Sequence, residues 1–288
     1  MKAGTIRAAL LLVVMAALFV WLGSFFDTVG MAAALAISIV ISFWSFWTCG
    51  TAILAASGAR ELTVEKDRAL LDLVSKLSAA AGVPMPHVFE IDDPHPNALA
   101  VGANPRIASI ILTKSVRKLL PKDQIAPLIA HELGHIKERD TLAAAIGAMF
   151  LDAILMFAIA LGLVGLIVGK HGGGILIVLA ICTPLTAIIL HLAASRSREY
   201  EADRFGAELL GSPQPMIAAL RKLAALPARA NKYALHSPAT ASLWFVDPLG
   251  GTWLRNAFST HPAIEKRIAR LEALGRSHPA IRENGGTL

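Results

Sequence analysis

Long apolar stretches broken by polar ones set the plan of this chain. Four charge-poor runs, Ala8 to Phe26, Val29 to Ala56, Leu142 to Gly169 and Gly174 to Ala194, are each long enough to cross the roughly 30 Å hydrocarbon core of a bilayer. They come in pairs, which predicts two transmembrane hairpins. The third run carries Asp152 and the fourth His191, ionisable groups whose roles the sequence leaves open. Trp21, Trp44 and Trp47 lie in the first hairpin, and the last two are expected to pack between helices.

Between the hairpins the period changes. Leu70, Leu71, Val74 and Leu77 recur at helical spacing and Gly82, Pro84 and Pro86 follow, which predicts an amphipathic helix within Glu61 to Ala81. His87 to Ile91, Ala98 to Val101 and Ile107 to Thr113 are short β-rich runs separated by turn residues, and predict a small antiparallel sheet. A helix is expected from about Pro121-Lys122-Asp123 through Ile136, with Pro127 either near its start or bending it. The charged stretch Lys137 to Asp140 then reads as a solvated face at the membrane interface. Beyond the second hairpin, helical patterns cover Pro215 to Leu226 and Pro262 to Leu274, with an irregular segment between them and an aperiodic tail after Ser277.

Composition agrees with a membrane protein: 55% of the 288 residues are hydrophobic and the mean hydropathy is +0.58. The first run exceeds a signal-peptide core and is expected to be retained. A net charge of +6 would suit a nucleic-acid partner, but Lys170 alone among 27 Lys and Arg lies in a hairpin tip. The charge therefore reports topology, and the positive-inside rule puts the N-terminus and both polar parts in the cytoplasm. The lipid bilayer is the expected partner and nucleic acid is not. Cys49 and Cys182 both sit in apolar runs, which excludes a disulfide framework and a cysteine metal site. The fold class expected is a mainly α membrane protein of α+β type: four transmembrane helices plus a cytoplasmic domain with a small antiparallel sheet. Its parts are a hairpin over 1–57, a cytoplasmic part over 58–141, a second hairpin over 142–195 and a second cytoplasmic part over 196–288.

The chemistry concentrates at His131-Glu132-Leu133-Gly134-His135. On a helix, His131 and His135 lie one turn apart and can grip one ion, while Glu132 can take a proton from water at that ion. Catalytic zinc usually has a third protein ligand and an open position. Glu138 is poorly placed, about 10 Å along the axis from His131. Glu199 is the best distant candidate and Glu201 its rival, pointing about 200° away around the same helix. Asp152 would lie about 25 Å along a continuous helix from His135, which argues against it. Asp203 suits the orientation of a ligand histidine better than the binding of metal.

Four ordered motifs look like those of the HtpX membrane metalloproteases, over a span from about Glu61 to Leu274. They are Pro96-Asn97-Ala98-Leu99-Ala100, the His131 to Ile136 stretch, Ser195 to Arg204 around Glu199, and Phe258-Ser259-Thr260-His261-Pro262 with Arg267 six beyond the histidine. The resemblance implies a bacterial inner-membrane zinc endopeptidase, multi-pass and facing the cytoplasm, that degrades damaged or misfolded membrane proteins under stress. It implies Glu199 as third ligand to one Zn2+ per chain, and Asn97, Ala98, Leu99 and Ala100 as the strand that holds substrate. Similarity to the CAAX prenyl proteases carries an oxyanion-stabilising role onto His261 and Arg267; the plainer reading is a helix cap and a surface ion pair. Leu99 departs from a common phenylalanine and Pro127 from an ordinary helix former. A CAAX-type prenyl protease, whose family has more spans, and a non-catalytic zinc scaffold, which would not need Glu132, are the other function classes. Oligomeric state and cleavage preference are not written in the sequence.

Overall fold

The computed structural model describes residues 2–24, 28–147, 196–226, 245 and 262–277. Two apolar helices, α1 (Ala3–Gly23) and α2 (Thr28–Ser57), pack together at the N-terminus. Among the described residues, the stretch Ala3–Trp21 is long and apolar enough to cross a membrane. The pair leaves Val13, Ile39, Val40 and Phe43 exposed. Trp44 and Trp47 are exposed as well, at 68% and 59%, and point outward rather than packing between helices as expected. The third and fourth apolar runs, with Asp152 and His191, lie outside the described residues beyond 147.

After α2 come strand β1 (Arg60–Glu61) and helix α3 (Val64–Ala81). As the spacing predicts, α3 buries Leu70, Leu71, Val74 and Leu77. Gly82 ends it in the left-handed conformation (φ 68°), its N–H bonding back to Ala79. Strands β2 (His87–Ile91), β3 (Ala98–Val101) and β4 (Ser109–Thr113) follow where β-rich runs were expected.

The sheet is mixed, not antiparallel. Its order is β1-β2-β4-β3; β1 pairs antiparallel with β2, β2 parallel with β4, and β3 antiparallel with β4. The connection after β2 is too long for a tight hairpin, so β3 lands one strand away and β4 fills the gap. Pairing order is a tertiary outcome that strand-by-strand patterning does not contain. Among the described residues it makes β3 an edge strand.

Helix α4 (Lys114–Leu119) starts on a cap from Thr113, whose Oγ1 accepts from Val116 N–H. Helix α5 (Lys122–Glu138) begins at Pro121, as predicted, and runs through Pro127 without a break. It buries Ile125, Leu128, Ile129, Leu133 and Ile136 in the main core with α3 and the sheet. Arg139, at φ 61°, turns the chain before helix resumes over 140–147.

Helices α6 (Arg196–Leu209), α7 (Gln214–Ala224) and α8 (Ile264–Ser277) complete the core. α6 crosses α5 closely because glycines stand at the crossing. A Cβ on Gly134 would lie 3.1 Å from Phe205 Cδ1 and 3.3 Å from Ala202 Cα; one on Gly206 would lie 3.3 Å from the His131 amide nitrogen. Glycine inside a helix costs about 1 kcal/mol relative to alanine, and here it is offset by bringing the two helices into backbone contact. Gly134→Val should therefore destabilise the protein by about 1–3 kcal/mol through overpacking; an unchanged thermal unfolding midpoint in detergent would contradict this account of the crossing.

Candidate metal centre

The close crossing sets α6 against the histidine face of α5. His131 and His135 bring their Nε2 atoms to 3.1 Å from each other, and the Glu199 carboxylate faces both at 3.5 Å. One ligand atom from each residue lies within 4.8 Å of the others, so the three could hold a metal ion. All are nearly or fully buried. The rival Glu201 is exposed on the other side of α6, and Glu138 is partly exposed on Lys2.

Each imidazole is tied from behind through Nδ1. His131 Nδ1 is 2.9 Å from Asp203 Oδ1, and His135 Nδ1 is 3.3 Å from Asp140 Oδ2. Carboxylates at both Nδ1 atoms favour the tautomer with the proton there, which turns both Nε2 lone pairs towards each other and towards Glu199. Such a convergence of acceptors in a buried place repels itself unless a cation sits between them. The electrostatics agree. Burial opposes a charged His131, yet hydrogen bonding to Asp203 and Glu199 outweighs it and raises its pKa to about 9, so the surroundings favour positive charge at this point.

Glu132 lies beside the ligands. It is 1% exposed, and neither carboxylate oxygen has a hydrogen-bond partner among the described residues. Burial, partly offset by the two histidines, raises its pKa. Its carboxylate lines a small cleft with Ala100, His135, Asp140, Thr141, Ala144, Arg198 and Glu199, with a volume of about 10 Å³. That is roughly the space of one water.

Arg267 is no surface residue. From α8 its guanidinium enters the core at 1% exposure and grips Asp203 with two donors, Nη2 to Oδ1 at 2.6 Å and Nε to Oδ2 at 2.7 Å. Nη1 donates to the Phe245 carbonyl at 2.7 Å and stands 3.8 Å from Glu199. Burial would raise the Asp203 pKa, but the Arg267 charge outweighs it and holds that carboxyl below its usual range. His261 lies outside the described residues.

Asn97 and strand β3 run beside α5, all of them buried. The Asn97 carbonyl accepts from Thr113 N–H and its own N–H donates to Thr113 Oγ1, which sets the alternation so that the polar groups of Ala98 and Ala100 face the outer edge. The outward Ala98 carbonyl accepts from Phe245 N–H at 2.8 Å, and the Phe245 ring meets His131 edge-on, centroids 4.7 Å apart.

Three residues of this site escaped the sequence reading. Asp140 was grouped with a solvated charged stretch but is 5% exposed against His135. Arg198 is 3% exposed and donates to the Asp140 carbonyl; its position next to Glu199 was the one available signal. Phe245 sits in the irregular segment between helical patterns, with no periodicity to mark it.

The relatives agree with the geometry. The model of "Peptidase family M48" matches residues 65–275. A "Protease HtpX homolog" of Desulforapulum autotrophicum is 40% identical over 280 residues, covering 92% of this chain and 88% of that protein. Another, of Syntrophobacter fumaroxidans, is 38% identical over 279 residues, covering 93% and 98%. Among solved structures, S. mikatae Ste24p superposes with TM-score 0.48 and 16% identity, covering 88% of this chain and 66% of that one, a likeness too distant to bear on the site. With a family match that takes in every described residue of the buried His131, His135 and Glu199 cluster, the chain belongs to peptidase family M48 and is a metalloprotease.

Proposed function

We propose that this is a zinc endopeptidase of the bacterial inner membrane, which crosses the bilayer four times and cuts damaged or misfolded membrane proteins at the cytoplasmic face. The observation that carries the catalytic reading is Glu132: a buried carboxylate with no hydrogen-bond partner among the described residues, beside a cluster of convergent acceptors. A structural metal clip has no use for such a group. The uncovered apolar surface of α1 and α2 and the near absence of basic residues from the hairpin tips support the membrane placement.

His131, His135 and Glu199 would hold the ion, and two imidazoles with one carboxylate and an open position suit zinc. Bound there, zinc supplies a Lewis acid that polarises the scissile carbonyl and lowers the pKa of water towards about 7. Glu132 takes the proton from the attacking water and passes it to the leaving amine; its raised pKa suits a group that must carry that proton between two steps. Asp203 keeps the His131 proton on Nδ1, and Arg267 keeps Asp203 charged and in place. This assigns Arg267 to positioning, since Asp203 and Phe245 occupy its donors. We place the substrate main chain along β3, pairing at the outward polar groups of Ala100, which faces Glu132 across the cleft. Such pairing reads backbone and not sequence, as a scavenger of misfolded chains requires.

Glu132→Gln should keep stoichiometric zinc and lose cleavage of casein by roughly 10²–10⁴-fold; the wild type, stripped with chelator, should recover activity with Zn2+. Retained proteolysis in the purified variant would overturn the assignment of Glu132 as base. Zinc bound in both proteins with cleavage by neither would favour a scaffold. Arg267→Met leaves Asp203 buried without its counter-charge and should cost about 3–5 kcal/mol of stability. A melting temperature equal to wild type would remove Arg267 from this network.

A further inference from the structure

The N-terminal apolar helix does more than lie beside the protease core: it touches the end of the histidine helix. A Cβ on Gly4 would fall 2.3 Å from the Arg139 carbonyl oxygen and 2.6 Å from that of Glu138, so the α1 backbone rests directly on the C-terminal carbonyls of α5. Lys2 pairs with Glu138 at 2.8 Å, and one turn further Arg7 Nη1 reaches Asp140 Oδ1 at 3.3 Å. Ala8, Leu11 and Met15 continue the contact against Leu142, Ala143, Ala145 and Ile146.

Asp140 is where these contacts meet the site. In an unbroken helix a residue five beyond His135 would point about 140° away from it. The left-handed turn at Arg139 abolishes that phase and swings the Asp140 carboxylate back to His135 Nδ1, at 3.3 Å. Its other oxygen lies between two guanidiniums, Arg7 of α1 and Arg198 of α6, the latter at 3.6 Å. One buried carboxylate thus joins three elements: the N-terminal helix, the histidine helix and the helix that carries Glu199.

We infer that Asp140 is the positioning residue for His135, and that Arg7 of the N-terminal apolar helix, with the Gly4 contact behind it, holds Asp140 in that role. The inference rests on the reading of His135 as a metal ligand. Asp140 fixes the His135 proton on Nδ1 and the ring in the plane that aims Nε2 at the ion; Arg7 and Arg198 keep the carboxylate charged and stationary. The N-terminal span is then part of the scaffold of the metal centre, and a shift of that helix in the bilayer changes how firmly the ion is held.

The test is zinc release from the full-length protein in detergent, followed with a chromogenic chelator. Asp140→Ala should speed release by roughly 10–100-fold. Arg7→Met should speed it by less, and Arg7→Lys should restore most of the difference. Lys2→Met, which removes a cation just before the same helix that pairs with Glu138 instead of Asp140, should release zinc like the wild type. In the Asp140→Ala background Arg7→Met should add nothing, because its effect passes through the carboxylate. The visible spectrum of the Co2+-loaded protein, which reports ligand geometry, should shift in Arg7→Met, a change that general loosening of the fold would not produce by itself. Wild-type release in Arg7→Met, or an effect that adds fully to that of Asp140→Ala, overturns the inference. His135→Ala separates this from the ligand reading: if it binds zinc as tightly as wild type, that reading has failed, whereas lost zinc there with wild-type release in Asp140→Ala defeats the positioning role alone.

Discussion

Everything at the centre of this molecule answers to the burial of more negative charge and more lone pairs than a protein interior tolerates unaided. Glu132, Glu199, Asp203 and Asp140 are each at most 5% exposed, within reach of two histidines. Arg267 and Arg198, buried in turn, answer Asp203 and Asp140. What they leave unanswered is the point between His131 Nε2, His135 Nε2 and Glu199, together with the carboxylate of Glu132. A divalent cation is the economical answer to the first, and it would leave Glu132 beside it with no hydrogen-bond partner among the described residues. Asp203 and Asp140 are compensated individually, the first by Arg267 of α8 and the second by Arg7 of α1 and Arg198 of α6.

That arrangement depends on a helix crossing tight enough for side chains as short as glutamate and aspartate to span it. Gly134 and Gly206 let α5 and α6 approach to backbone contact. Glu199 and Asp203, one turn apart on α6, then meet His131 from two directions: Glu199 at Nε2 and Asp203 at Nδ1. The same face of α6 thus presents two carboxylates to one imidazole, one at each ring nitrogen. Helix α8 locks the crossing from behind through Arg267, and Phe245 joins it to β3, pairing its amide with Ala98 and its carbonyl with Arg267.

The strand beside the cleft owes its place to the pairing order of the sheet. Had β3 paired on both sides, Ala98 and Ala100 would have no outward groups. Because β4 inserts between β2 and β3, β3 is the edge next to α5 among the described residues; the outward Ala98 carbonyl is taken by Phe245, and Ala100 lines the cleft.

Periodicity and motif spacing were enough to read most helices, the strand positions, the histidine pair with its glutamate, and the opposition of Glu199 and Glu201 on one helix, since these depend on contacts within a turn or on which face of one helix a residue shares; the packing of α6 on α5 is what sets Glu199 against the histidines. They were not enough for the sheet order, which depends on how a loop carries the chain across its neighbours. Nor could they find Asp140, which local composition files with a solvated stretch; only the left-handed turn at Arg139 and the arrival of Arg7 and Arg198 from distant helices bury it against His135. The same holds for Arg267, legible as a motif position but not as the buried counter-charge of Asp203. A sequence determines directly what each element can offer to its own faces. Which charges meet in the interior, and therefore which of them must be paired, is decided only when elements far apart in the chain are packed together.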